Sequence, residues 1–292
     1  MYSIGIVSDS HSSITQEEAQ KLGIYILPMP FTINEKTYYE DSSLSRTDFF
    51  KLLEEGADVK TSQPTPIELM RIWDLALEKY EEILYIPISS GLSGSCMSAM
   101  ALAENETYKG RVYVVDNGRV SALLHRSILD ALELIKENYS AAEIKEILEA
   151  SRDKMTIYIG VNDLEYLKRG GRIKAVTEKI ASLLNIKPIL KFDVGILESF
   201  KNCRGYVKMR KAMIEALKND LETTFKSYEE AGEVALLVAS SSSAEVTQSW
   251  LEEVKAAFPN REVMCDDLSL GVCCHIGPGG LGIGCSCKPK RL

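Results

Sequence analysis

Along the first half of the chain, short runs of β-branched and apolar residues alternate with stretches whose apolar positions recur at helical spacing. "YSIGIVSD" reads as a buried strand and "SSITQEEAQKLG" as a helix closed by Gly23. "IYILPMPFTI" is extended again. In "SLSRTDFFKLLEEG", Ser45 and Asp48 stand three apart in a capping-box-like arrangement, and Gly56 marks the stop. Next come a helix after "KTSQPTPIE", the strand "EEILYIPI", a helix from about Ser93, the strand "GRVYVVD" and a helical segment from Val120 to Asn138. This alternation predicts a parallel sheet with helices on both faces.

One more helix is expected across Ser140 to Met155, ahead of the strand "TIYIGV". Beyond it the rhythm changes. "KPILKFDVGILESF" predicts two neighbouring strands, followed by a helix from Lys208 to Phe225. "EVALLVAS", a helix from Ala244 to Phe258 and "REVMCDD" complete a second α/β unit. The fold class is therefore α/β with two domains. An N-terminal three-layer parallel-sheet domain covers residues 1–155, and a smaller mixed-sheet domain covers 156–292, with the boundary placed by the change of pattern.

Composition narrows the function classes. A chain of 292 residues buries a substantial core without disulfides. Its 34 basic and 42 acidic residues leave a net charge of −8. An acidic balance argues against an extended nucleic-acid footprint, hence against a DNA-binding regulator, and against membrane binding by charge. The opening "MYSIGIVSDS" lacks the basic and long apolar regions of a signal peptide, and no run approaches the ~20 apolar residues of a spanning helix. A cytoplasmic location without integral membrane association is expected. Seven cysteines, five of them between Cys265 and Cys287, are then expected to be thiols.

Three loops carry candidate chemistry. In "KTSQPTPIE", Thr65, Pro66 and Glu68 make a strong helix start: a cap, a proline at the first helical position and a carboxylate at the third. Thr61, Ser62 and Gln63 lie just outside that start, where unpaired N–H groups favour an anion. In "PISSGLSGSCMSAMALAE" a buried strand runs through a Gly/Ser loop, Ser89 to Ser95, into a helix. Backbone N–H groups wrap an anion in that geometry, but no lysine follows the glycines as a nucleoside-triphosphate loop requires. In "LEYLKRGGRIK", Gly170 or Gly171 closes a helix, Lys168 and Arg169 complement its dipole, and Arg172 is displayed beyond.

A serine hydrolase acting on a small acyl ester through Ser93 and His275 is the alternative reading. "GLSGS" departs from the nucleophile-elbow spacing, and only His11, His125 and His275 are available as a base. His11 reads as a turn residue near Asp9, His125 as packing or surface, and His275 as a residue of the Gly-rich loop "CCHIGPGGLGIG" that faces a site.

Taken together, "SDSHSSI", "TSQPTP", "SSGLSGS", "LEYLKRGGRI", "IKPIL" and "HIGPGGLGIG" resemble, in order and over nearly the whole chain, the DegV family of bacterial fatty-acid-binding proteins. The resemblance implies two α/β domains with a long-chain fatty acid buried between them. It implies a lipid carrier, not itself an enzyme, that presents the carboxylate to a separate fatty-acid kinase making acyl phosphate for phospholipid synthesis. Carried over by motif, Thr61 and Ser62, Ser93 with Gly94, and His275 would hold the carboxylate, and Arg169 and Arg172 would contact the partner. No catalytic residue, metal or cofactor is implied.

Two places depart from the family pattern. In "FKNCRGYVKMRKAM" either Arg204 or Arg210 matches the family's basic position, so neither is assigned. Cys273, Cys274, Cys285 and Cys287 stand near His275 where apolar or small residues are the rule. Such a group suits a soft metal, but the usual Cys-x-x-Cys spacing is absent. The plainer expectation is small buried hydrophobes at Cys265, Cys273 and Cys274, with a reactive exposed tail.

Overall fold

The computed structural model describes residues 3–40, 44–162, 164–173 and 185–291. Strand β1 (Ile4–Asp9) leads through a 3₁₀ turn (Ser10–Ser12) to α1 (Gln16–Leu22) and β2 (Tyr25–Leu27). Strands β3 (Pro30–Ile33) and β4 (Lys36–Tyr39), α2 (Arg46–Glu54) and β5 (Val59–Thr61) follow. Then come α3 (Pro66–Leu77), β6 (Glu82–Ile86), α4 (Ser95–Ala103), β7 (Val112–Val114), α5 (Ala122–Lys136) and α6 (Ala141–Ala150).

The second half holds β8 (Met155–Gly160), α7 (Glu165–Arg169), β9 (Ile186–Asp193), β10 (Ile196–Arg204), α8 (Tyr206–Glu222) and α9 (Lys226–Glu230). It ends with β11 (Val234–Ser240), α10 (Ala244–Ala257), β12 (Val263–Asp267), α11 (Leu270–Ile276) and β13 (Leu281–Cys287).

Several helices begin where side chains satisfy their first N–H groups. The Thr65 hydroxyl accepts from the Glu68 N–H at 3.2 Å while the Glu68 carboxylate takes the Thr65 N–H at 2.7 Å. Ser140 and Glu143 repeat the arrangement at α6, and Ser45 accepts from the Asp48 N–H at α2. Gly23, at φ 70°, closes α1.

Parallel strands in the order β2-β1-β6-β7 form the first sheet. Alternation along them divides the packing. Ile6, Leu84 and Ile86 meet α5 and α6 through Leu124 and Ile144, whereas Val7, Ile83 and Tyr85 meet α3 and α4 through Trp73 and Ala99. Helices thus cover both faces, as the pattern predicts. Burying each large side chain of this kind contributes roughly 1.5–3 kcal/mol.

The second sheet is mixed, in the order β10-β9-β8-β13-β11-β12. One face packs on α8 and α10 through Tyr158, Ile283, Met213 and Trp250. Residues of the opposite alternation, including Ile157, Phe192 and Leu197, face the first half of the chain.

A third sheet, β4-β3-β5, is antiparallel and departs from the pattern expected of the sequence. "IYILPMPFTI" divides between two sheets, because Pro28 and Pro30 have no N–H to donate to a ladder and the Met29 N–H bonds to the Ser10 hydroxyl at 3.0 Å. Phe31 and Ile33 of that small sheet join the core formed by Ile157 and Phe192.

Other boundaries move by a few residues. The helix expected from about Ser93 begins at Ser95, since the Ser93 N–H closes a turn onto Ser89. The helix expected from Val120 begins at Ala122, after Ser121 at φ 54°. The segment expected to stay helical from Ser140 to Met155 ends at Ala150, and Met155 opens β8. Likewise, α8 stops at Glu222, where the chain turns so that the Phe225 N–H reaches Asp220 O.

Candidate functional site

Connectivity itself points to one place. From β1 the chain goes to β2 on one side, and from β6 it goes to β7 on the other, so the order reverses between β1 and β6. In open parallel sheets, ligands bind outside the carboxyl ends of the strands at such a point. The segments leaving these two strands are Ser10–Ser12 and the loop from Pro87 to Gly94. Asp9, wholly buried, fixes both: its carboxylate accepts from the His11 N–H at 3.0 Å and from the Ile88 N–H at 2.9 Å.

A cavity of about 250 Å³ opens there, between the first sheet and the inward face of the second. Thr61, Ser62, Gln63, Ser93, Ser121 and His275 supply polar lining. Ile157, Ile159, Phe192, Leu197, Leu268 and Ile276 supply apolar wall. One space therefore joins a hydroxyl-rich region to a surface suited to hydrocarbon.

All five residues expected around a carboxylate, Thr61, Ser62, Ser93, Gly94 and His275, line this one cavity although they are more than 200 positions apart at the extremes. Thr61 ends β5 and is held by pairing with Phe31. The Ser62 N–H donates to Pro30 O at 3.3 Å. Gly94 caps α4 with its backbone, and Ser93 Oγ accepts from the Ser95 N–H at 3.3 Å. The first turn of α4 is thus turned to the cavity through Ser93 and Gly94, adding a partial positive charge. Gln63 ties its loop to α4 by accepting from the Ser98 hydroxyl at 3.2 Å.

His275 does not lie in a loop. It occupies the last turn of α11, whose first N–H groups, of Leu270 and Gly271, donate to the Glu40 carboxylate at 2.7 and 3.3 Å. The Ser269 cap and the Glu40 carboxylate start a helix where glycine content alone suggests a loop. The His275 ring is 2.8 Å from the Thr61 hydroxyl through Nε2, and its buried Nδ1 has no hydrogen-bond partner among the described residues. Burial first, then the charge of Arg172 and the neighbouring His11, push its pKa down to about 4, so the ring is neutral at pH 7. Gly170 packs against it, and a methyl group there would collide with the ring.

The two arginines of "RGGR" part company. Arg172 lines the cavity, with Nε donating to Leu92 O at 2.9 Å and a second nitrogen donating to Gly170 O at 2.7 Å. Arg169 does not line it; its guanidinium lies 5.0 Å from the centre of the Tyr166 ring. His11 and Ser121 are cavity residues that the sequence reading did not place there. The usable signal was position, since "SDSH" follows the end of a central parallel strand.

The hydrolase alternative fails on geometry. Ser93 Oγ bonds to Ser95 Oγ at 3.1 Å, while His275 pairs with Thr61 and no carboxylate orients its other nitrogen among the described residues. A nucleophilic serine needs both relations. The tail cysteines are not exposed: Cys285 and Cys287 lie in β13, fully buried, and burial pushes the Cys287 thiol up to about 12. Cys273 and Cys274 are buried as expected, and Cys265 partly so. Among the described residues no group of three or more His, Cys, Asp or Glu side chains is arranged to hold a metal ion. Nor is any described helix long and apolar enough to cross a membrane.

Comparison with known proteins gives a consistent result. A family model described as "Uncharacterised protein, DegV family" matches residues 3–288. Protein DegV of Bacillus subtilis is 31% identical over 288 residues, covering 97% of this chain and 99% of that protein. A DegV-family protein from Thermus thermophilus, whose structure is described as fatty-acid-binding, superposes with a TM-score of 0.86 at 30% identity, covering 98% of this chain and 99% of the other. The crystal structure of Bacillus subtilis DegV, described as a fatty acid binding protein, gives a TM-score of 0.83 at 28% identity, covering 99% and 100%.

Proposed function

The chain belongs to the DegV family, and on that premise we propose that it binds a long-chain fatty acid in the cavity between its first and second sheets. Residues 1–155 and 156–292 act as the two halves of the clasp. The single observation that carries this reading is the joining, in one cavity, of hydroxyl groups at Thr61, Ser62 and Ser93 to an apolar wall built by β8, β9 and β10.

A buried carboxylate is prohibitively desolvated unless several donors meet it. The Thr61, Ser62 and Ser93 hydroxyls and the backbone at Gly94 supply them, and the neutral His275 ring, donating through Nε2 to the Thr61 oxygen, turns the Thr61 hydroxyl proton toward the anion. Arg172 contributes the nearby positive charge. The hydrocarbon needs no polar contact. Each buried CH₂ is worth about 0.8 kcal/mol, so a chain of about 16 carbons contributes on the order of 12 kcal/mol before ordering costs. Chain length governs retention, and the hydroxyl loops govern orientation.

The protein acts on this reading as a carrier, not an enzyme. It holds the carboxylate for a separate kinase that forms the acyl phosphate, with Arg172 at the mouth and Arg169 nearby as the side chains that meet the partner. The site is tested by calorimetric titration with hexadecanoate. The wild type is expected to bind one equivalent. Thr61→Val with Ser93→Ala removes two charge-assisted hydrogen bonds, each worth about 1.5–3 kcal/mol, and is expected to weaken binding about 100-fold or more. Undiminished binding by the double variant would show that the carboxylate sits elsewhere.

A further inference from the structure

Strands β9 and β10 are joined by a two-residue turn, Val194–Gly195, with both residues at positive φ, 42° and 77°. Turns of this kind favour Asn–Gly, and a β-branched residue there is strained. The surroundings supply a reason for valine. The turn is pressed onto two loops of the other half of the molecule. A methyl group added at Gly91 would overlap the Gly195 carbonyl, and one added at Gly195 would overlap Ser89 Oγ. One at Gly118 would lie 3.4 Å from Val194 Cγ1, so that valine fits against a glycine. Ser89 itself is pinned: its hydroxyl accepts from the Gly91 N–H at 3.1 Å, and its N–H donates to Arg119 O at 2.9 Å.

Both contacted loops run directly into the cavity. One continues to Ser93 and Gly94, the other to Val120 and Ser121. The strands on either side of the turn carry Phe192 and Leu197, which are apolar wall. Close-packed contacts transmit displacement, and hydrogen-bond energy falls steeply as geometry worsens.

We propose that the Val194–Gly195 turn is a positioning element of the ligand site: by its contact with Gly91 and Gly118 it sets the Ser89–Gly94 loop against the acyl wall, so that the fit of the hydrocarbon is registered at the carboxylate donors. The turn touches no ligand and acts through the loop. This inference rests on the fatty-acid reading above.

The test separates head from chain. Dissociation constants for hexadecanoate and for hexadecanol, which has the same chain without the charge, are measured by displacement of a fluorescent fatty acid. Their ratio reports the head-group contribution. Gly91→Ala is expected to shrink the ratio about tenfold, the equivalent of one misplaced charge-assisted hydrogen bond, with hexadecanol affinity changed less than about twofold. Val194→Asn suits the turn better and gives up the packing on Gly118. It is expected to keep or raise the melting temperature while still lowering the ratio severalfold, a combination that a purely structural role does not produce. Unchanged ratios in both variants of a protein that binds hexadecanoate overturn the inference. A wild type that binds neither ligand overturns the fatty-acid reading itself.

Discussion

His275 and His125 are both buried where the two halves of the chain meet, yet their surroundings oppose each other. Around His275 stand burial, Arg172 and His11, and its ring is neutral, with one nitrogen that has no partner among the described residues. Around His125, on α5, stand the carboxylates of Asp266 on β12 at 2.9 Å and Glu18 on α1 at 3.4 Å. Burial alone would lower His125, but the hydrogen bond and charge of Asp266, with Glu18 behind, outweigh both burial and Arg126 and raise its pKa. A fully satisfied polar group joins structural parts. One left partly unsatisfied beside a cavity marks where a ligand completes the set.

The comparison predicts opposite responses to pH. His275 has a folded-state pKa below its unfolded value of about 6.5, so the unfolded chain binds its proton first and stability falls as pH drops from 6.5 toward 4. The loss is on the order of 3 kcal/mol, and His275→Asn should flatten that limb of the urea-denaturation profile. A limb of the same steepness in the variant would assign the acid sensitivity to another group.

His125 acts the other way. Its raised pKa gives stability that is fully present below about pH 6.5 and is lost as pH rises through the folded-state value. Asp266→Asn should therefore cost about 2 kcal/mol at pH 6 and less at pH 9. A deficit that is constant with pH would mean that the pair works by shape rather than charge.

The smallest effect on the fold, with its main effect on the ligand, is expected from Gly170→Ala, where the added methyl group displaces the His275 ring from Thr61. Hexadecanoate affinity should fall about tenfold for one lost hydrogen bond to the anion. If affinity is unchanged, His275 does not orient the Thr61 hydroxyl toward the anion.

Much of this architecture was legible because it follows from local chemistry. Thr65–Glu68 and Ser140–Glu143 announce helix starts whatever surrounds them, and "TIYIGV" announces a strand, although that Ile157 and Ile159 on it become cavity wall needed the fold. The third sheet was not legible, since the departure of Met29 from the first ladder depends on a hydroxyl 19 residues away. His275 was misplaced for the same kind of reason: the carboxylate that starts α11 comes from Glu40, 230 positions earlier. For the site, residue types marked Thr61, Ser62 and Ser93 as separate anion candidates and only the family resemblance joined them with His275, while which arginine lines the cavity needed the fold. Neighbours in "RGGR" diverge because Gly171, at φ 65°, turns the chain between them.

That the cavity holds a fatty acid by its carboxylate is best checked on the bound lipid itself. Purified protein is denatured, extracted with solvent, and the extract identified and quantified by mass spectrometry. Long-chain fatty acid near one equivalent per chain is expected. A protein that carries none, and that cannot be loaded by added hexadecanoate, would contradict it.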